Sequence, residues 1–404
     1  MHSTKISGIS WFVITHAGKS NKDIIHRVGC GFLIIGVLLL PFQIGQGSLF
    51  SRFHLQWADV FLGIALMLGV LGRRAQAFCL IQIWGGFWLA VFLSALNNGT
   101  PYAFIRWLGL IYVTSMTGLL PIYLSTLRRQ GFRLFYVMVL LALAGAVLDG
   151  IFQFFSLTTP YYGQNAPLLK WVLRVKGSFM HPNALAHFLA VTGFLFIYYV
   201  PYPKCFRILG GYALIMVFTI SRSIIAIPFW ILAIGTRRIA TWGSVCIIFF
   251  ILATSMFFTY YAMGPDLNLI VGFRWKGLQA GLWTWLNNIW LGLGPGTWPI
   301  VPKYAAIDSP GSPGDAMNTY VNLLSTTGLI GFLTYFYGWI RIFLLGHRTE
   351  RRGYRKLWVA LMGYYALTNL FISSEDIRHL YLLTGWLLCL ITQNASESPK
   401  KVSS

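Results

Sequence analysis

The sequence predicts an all-α polytopic membrane protein of about 12 transmembrane helices, and three observations carry that expectation. Apolar residues fill 56% of the 404 positions and charged residues only 10%, more apolar surface than one soluble core requires. A hydrocarbon core of about 30 Å takes roughly 20 apolar residues per helix, so this content fills about 11 or 12 spans. The cations fall in short clusters that alternate with the apolar runs, as the positive-inside rule requires.

Taken in chain order, the apolar runs place spans at 28–44, 57–71, 77–97, 103–127, 132–155, 183–201, 206–220, 223–236, 240–262, 318–345, 357–373 and 379–393. Those ending at 71, 220 and 236 are short for a bilayer. With the amino terminus inside, 21 of the 31 Lys and Arg residues lie on the inner side and 10 on the outer. Both termini are then cytoplasmic. The first 27 residues carry Lys5, Lys19, Lys22 and Arg27 and show no cleavable apolar core, so no signal peptide is expected.

A net charge of +21 would suggest a polyanionic partner in a soluble chain. Here the inner-face clusters explain most of it, and no nucleic acid is expected. The outer cations are more informative, because that face should be poor in Lys and Arg unless something anionic is held there. Seven gather as Lys170/Arg174/Lys176, Arg222 and Arg274/Lys276/Lys303. Snorkelling to lipid headgroups is the ordinary alternative.

The chain reads as one integral domain, 1–404, with two long outer connections at 156–182 and 263–317. Within the second, Arg274 to Trp290 has the pattern of an amphipathic helix. Trp275, Leu278, Leu282, Leu286 and Ile289 share one face; Gly277, Ala280, Gly281, Thr284, Asn287 and Asn288 share the other. Gly292-Leu293-Gly294-Pro295-Gly296 ends it. The expected position is the outer interface, with tryptophans at headgroup level.

No phosphate-binding glycine loop, H-E-x-x-H or C-x-x-C pattern occurs, so no metal and no cofactor are expected. The five cysteines suggest neither a disulfide framework nor a thiolate site. Asn98-Gly99-Thr100 fits a glycosylation sequon, a short pattern with many chance matches. Asp59 and Asp149 are the carboxylates well placed within spans, thin support for a cation-coupled carrier.

Four segments stand out: Arg174-Val175-Lys176-Gly177-Ser178-Phe179-Met180-His181-Pro182-Asn183; Thr219-Ile220-Ser221-Arg222-Ser223; Arg274-Trp275-Lys276 leading to the 292–296 glycines; and Asn318-Thr319-Tyr320 followed by Gly328-Leu329-Ile330-Gly331. In this order they resemble the O-antigen ligase and Wzy-type polymerase superfamily of bacterial surface-polysaccharide assembly. The likeness covers most of 160–345 and only echoes the family around Asp59.

That resemblance implies a GT-C-like, metal-independent, inverting glycosyltransferase of the bacterial inner membrane with its active site facing the periplasm. The implied donor is an undecaprenyl-diphosphate-linked glycan. The acceptor is a sugar hydroxyl, on a second lipid-linked repeat for a polymerase or on lipid A core for a ligase, and a chain-length regulator is a conceivable partner. Arg222 and Arg274, with Arg174 and Lys176, would hold the diphosphate and stabilise charge on the departing oxygen, a role suited to guanidinium groups.

Where the family pattern has His-Asn this chain has Met317-Asn318. A thioether cannot accept a proton from the acceptor hydroxyl. Asp315 and His181 are stand-in bases, although Asp315 could cap a loop end and His181 could serve the turn before Pro182. Asn318 could orient a hydroxyl or cap the tenth span, and Gly328 and Gly331 are read as close-packing positions. The missing histidine tips the reading toward a repeat polymerase over a ligase. A solute transporter is the alternative from another class.

Overall fold

The computed structural model describes residues 21–42, 56–72, 74–118, 123, 128–155, 175–179, 182–201, 204–219, 221–235, 267–297, 318–348, 352–370 and 378–396. Every regular element among them is helical. In chain order these are α1 Asn21–Leu39, α2 Trp57–Gly72, α3 Arg74–Asn98, α4 Pro101–Ser115, α5 Arg128–Phe154, α6 Pro182–Tyr199 and α7 Lys204–Thr219. After a 3-10 turn at Arg222–Ile225 come α8 Ala226–Ile234, α9 Leu267–Asn287, α10 Thr319–His347, α11 Arg352–Thr368 and α12 Arg378–Ser396.

Eleven of the apolar runs coincide with these helices, and the run at 240–262 lies outside the described residues. Phe78–Asn98, Gly131–Phe154 and Thr319–His347 are long and apolar enough to cross a bilayer. Most of the others are shorter: 15 residues of α4 at 1.5 Å each reach about 22 Å against a core of about 30 Å. The chain is thus a helical membrane protein with three spans evident from length and composition among the described residues.

Several boundaries differ from expectation, most clearly at α1 and α4. The helix expected at 28–44 begins at Asn21 and ends at Leu39, because the polar turn with Lys22, Asp23 and His26 continues the helix beyond its apolar part. That expected over 103–127 stops at Ser115. Thr114, Ser115, Thr117, Gly118 and Pro121 form a run that favours turns over helix. Thr117 turns its hydroxyl onto Thr114 O at 2.8 Å and accepts the Trp84 indole N–H at 3.0 Å. Its start needs no such correction: Pro101 occupies the first turn, where its missing N–H costs nothing, and the Thr100 hydroxyl accepts from Ala103 N.

The helices alternate in direction. At one end, Ser178 donates to Pro41 O at 2.7 Å, Asp59 pairs with Arg378, Asn98 donates to Leu293 O and Asn318 donates to Leu370 O. At the other, His26 stacks on Tyr123, Tyr198 donates to Leu390 O, and the Trp386 indole donates to Tyr199. Except at Trp386, which lies midway along α12, each tie joins segments that an up-and-down path brings to the same side.

The interior is aromatic. Trp84 of α3, Tyr335 and Trp339 of α10 and Tyr381 of α12 contact one another in tilted and edge-on arrangements, which suit the charge distribution of the rings. Gly338 lets α10 approach α3, since a Cβ there would stand 2.5 Å from the Trp84 ring. Outward positions such as Met67, Phe78, Leu89 and Leu108 are exposed and apolar, the inverse of a soluble surface.

The expected amphipathic helix exists but starts earlier, at Leu267, and ends at Asn287. Its faces are disposed for lipid. Gly277, Ala280, Gly281 and Thr284 are buried, whereas Trp275, Leu282, Leu286, Ile289 and Trp290 are exposed. The small residues permit close approach to protein, the usual arrangement where lipid replaces water as the outer solvent. α9 packs against α10 and is part of the bundle's wall.

α10 is interrupted at Gly328, whose φ of 67° and ψ of −171° belong to a region open essentially to glycine alone. The reading of Gly328 as a helix-packing position is therefore corrected: it breaks the helix. Unbroken α-helix would join Leu329 N to Ser325 O and Ile330 N to Thr326 O. Here Leu329 and Ile330 donate to Ile289 O and Trp290 O instead, while Ser325 O and Thr326 O accept from Leu293 N and Gly294 N. The Ser94 hydroxyl lies 2.5 Å from Leu291 O and 2.8 Å from Thr326 O and ties α3 to both. Non-helical backbone is tolerated inside a membrane protein when its polar groups are met this way. Gly331, read as a packing position too, sits over Thr327 of its own helix.

Candidate functional site

Several buried polar residues stand at the end where Asp59 meets Arg378. Asp59, in the first turn of α2, is 7% exposed. One carboxylate oxygen accepts from Gln56 N at 2.8 Å and pairs with the Arg378 guanidinium; the other accepts from the Tyr112 hydroxyl at 3.1 Å. A buried carboxylate with this many donors is held in one orientation. The arginine opens α12 and keeps 17% of its side chain exposed.

Next to Arg378, His379 packs its ring against Phe179 and Phe188, with centroids 6.4 and 5.9 Å away. It is buried, and its Nε2 has no hydrogen-bond partner among the described residues. Phe179 closes the segment 175–179, which carries Lys176. That segment is fastened to α5: Asp149 Oδ2 accepts from Lys176 N at 2.7 Å, Gly177 N at 2.9 Å and the Gln153 amide at 3.1 Å. Gly177 takes φ of 62°, and a Cβ there would reach 2.9 Å from Ala146 N. Asp149, weighed as a carrier residue from sequence, is spent on holding this turn.

Arg222 lies in the 3-10 turn between α7 and α8. Ser221 caps that turn through Ser223 N at 3.3 Å, and the turn packs on α6 and α11. On those helices, His187 Nδ1 and the Tyr364 hydroxyl are 2.9 Å apart, both buried. From Tyr364 to Asn369 is five residues, about 7.5 Å of helix. There Thr319 N donates to Asn369 O at 2.9 Å, so the Arg222 turn and the start of α10 share this end of the bundle.

Asn318 caps α10. Its Oδ1 accepts from Val321 N at 3.1 Å and its amide nitrogen donates to Leu370 O at 3.0 Å. Both alternatives read from sequence concerned this amide, and the cap is the one formed. Tyr320 adds a bond to Ala366 O at 2.5 Å. The sequon asparagine is likewise engaged: Asn98 donates to Leu293 O at 2.8 Å and accepts from Thr100.

The other sequence candidates are placed only in part. Arg274 stands on α9, thirteen residues before its end, and for Arg222 and Arg274 the backbone alone is described. Arg174, His181, Asp315 and Met317 lie outside the described residues. Lys176, the Arg222 turn and Asn318 thus share one end of the bundle with Arg378, Asp59, His187 and His379, which sequence reasoning did not place in the site. A signal for one pair existed: an acid inside a span needs a partner, and Arg378 directly precedes the apolar run at 379–393, at its outer end. No family model matches the chain, and no curated protein matches it.

Proposed function

We propose that the protein transfers a glycan from a polyprenyl diphosphate carrier to a sugar hydroxyl at this polar end of the bundle. The observation that supports the reading is the gathering of Lys176, the Arg222 turn, Asn318 and Arg378 at one end of a membrane bundle, fixed there by Asp149, Asp59 and the α10 cap. Diphosphate is the leaving group that the cations Lys176, Arg222 and Arg378 suit. Arginine contacts phosphate oxygens through two parallel N–H groups, and in a site away from bulk water it stabilises charge as the glycosidic oxygen departs.

Arg222 and Arg274, with Arg174 and Lys176, act on the diphosphate; Asp315 or His181 takes the acceptor proton. The acceptor is a second lipid-linked repeat in preference to lipid A core, since Met317 stands where a ligase-like base is expected. The protein works in the bacterial inner membrane as a twelve-span GT-C-like enzyme, with the site toward the periplasm and both termini in the cytoplasm.

A solute carrier is the second reading, favoured by the interruption at Gly328 and the buried Asp59, His187 and His379. Against it, the backbone groups that the break frees at 325, 326, 329 and 330 are all bonded to the 289–294 loop, which leaves none of these four for an ion or substrate.

The test is reconstitution of the purified protein into vesicles with lipid-linked glycan extracted from a strain blocked at this step. Growth of carrier-bound glycan without added nucleotide sugar is the expected result. Solute flux with no glycan transfer would replace the proposal with the carrier.

A further inference from the structure

Resting on that reading, we propose that Arg378 is a further diphosphate-binding residue, oriented for the task by Asp59. Three features of the geometry carry the assignment. First, Arg378 is neither sealed nor free: one guanidinium nitrogen is anchored on Asp59, which is itself fixed by Gln56 N and Tyr112, while 17% of the side chain reaches the surface. Arginine carries five N–H donors in a rigid fork, so anchoring one edge leaves donors directed away from the carboxylate.

Second, Arg378 is the first residue of a 19-residue helix with no acid in the first turn, so the helix dipole adds to the positive charge at this place. The single carboxylate of Asp59 leaves room for a further anion beside it. The adjoining His379, 4% exposed, adds an Nε2 without a hydrogen-bond partner among the described residues.

Third, packed neighbours link Arg378 to both cationic segments whose positions are described. His379 touches Phe179, three residues beyond Lys176, and Phe188. On the same helix as Phe188, His187 bonds Tyr364 of α11, against which the Arg222 turn packs. In the proposal, a diphosphate at Lys176 and the Arg222 turn is one that Arg378 joins in holding. The ligand class is an isoprenoid diphosphate, with the diphosphate as the part recognised.

The experiment measures binding of farnesyl diphosphate to the full chain in detergent, by thermal shift and by titration, for wild type, Arg378→Lys, Asp59→Asn and Arg222→Ala. Lysine keeps the charge and the pairing with Asp59 but loses the two-pronged contact. The expected result is wild-type binding that inorganic pyrophosphate displaces, weakened about tenfold or more by Arg378→Lys and by Asp59→Asn, with the unliganded Arg378→Lys protein melting as wild type does. Unweakened binding by Arg378→Lys, with Arg222→Ala impaired, overturns this assignment and leaves the transferase reading standing. Failure of wild type to bind farnesyl diphosphate overturns both, and binding that pyrophosphate does not displace shows recognition of the isoprenoid chain and overturns the assignment as well.

Discussion

Replacing Gly328 by alanine tests the interrupted helix directly. The backbone at φ 67°, ψ −171° is closed to L side chains, which costs about 1–3 kcal/mol. The new Cβ would also fall within contact of Trp290 O and 2.5 Å from Leu291 N, so the loop has to move. If α10 then heals into regular helix, Ser325, Thr326, Leu329 and Ile330 bond one another. Ile289 O, Trp290 O, Leu293 N and Gly294 N lose their partners. At about 1 kcal/mol for each of those four groups, healing costs about 4 kcal/mol, and a helix that keeps its break bears the backbone strain and the displaced loop instead. The control is Gly210→Ala on α7, where a Cβ meets nothing within 4 Å and the change favours the helix by about 0.5–1 kcal/mol. Thermal unfolding in detergent, followed by size-exclusion fluorescence, should show Gly328→Ala melting many degrees lower or aggregating, with Gly210→Ala melting at or slightly above wild type. A Gly328→Ala protein that melts with wild type would refute the reasoning.

Other expectations follow from single contacts. Arg378→Ala leaves Asp59 buried without its cation and should cost about 3–5 kcal/mol, whereas Asp59→Asn combined with Arg378→Ala costs less; a double-mutant cycle by thermal unfolding reads the coupling, and additive effects would deny the pair. Asp149→Ala frees Lys176 N and Gly177 N, so hydrogen exchange at 176–178 should rise at least tenfold while that of α10 stays unchanged. Asn318→Asp keeps the cap of α10 but loses the bond to Leu370, and Asn318→Ala loses both; the alanine variant should be the less stable, by about 1 kcal/mol.

Helix positions were legible because apolar runs bounded by Pro, Gly and basic residues leave few alternatives, as at Pro101 and at Lys204. The start of α1 was not, since Lys22 and His26 extend a helix without extending its hydrophobicity. The face of α9 was legible as a stripe, but its direction depended on whether lipid or water lies outside. Gly328 looked like one of many small residues. Its role depends on a partner loop whose N–H and C=O groups happen to match those the break exposes, which no local pattern announces. Asp59 and Arg378 stand 319 residues apart, and only the alternation of helix directions places them together. Within the site, the sequence separated Lys176, Arg222 and Asn318 from the background, and the two-way reading of Asn318 needed the positions of Val321 N and Leu370 O to resolve.

The central claim concerns a glycan on a diphosphate carrier, and the surface-polysaccharide profile of a deletion strain tests it most directly. The strain is complemented with wild type, Arg222→Ala or Met317→His. The account predicts that wild type restores long polymer, while Arg222→Ala leaves single repeats on the core with no long chains. A wild-type profile from Arg222→Ala, with the protein present at normal level, would contradict it.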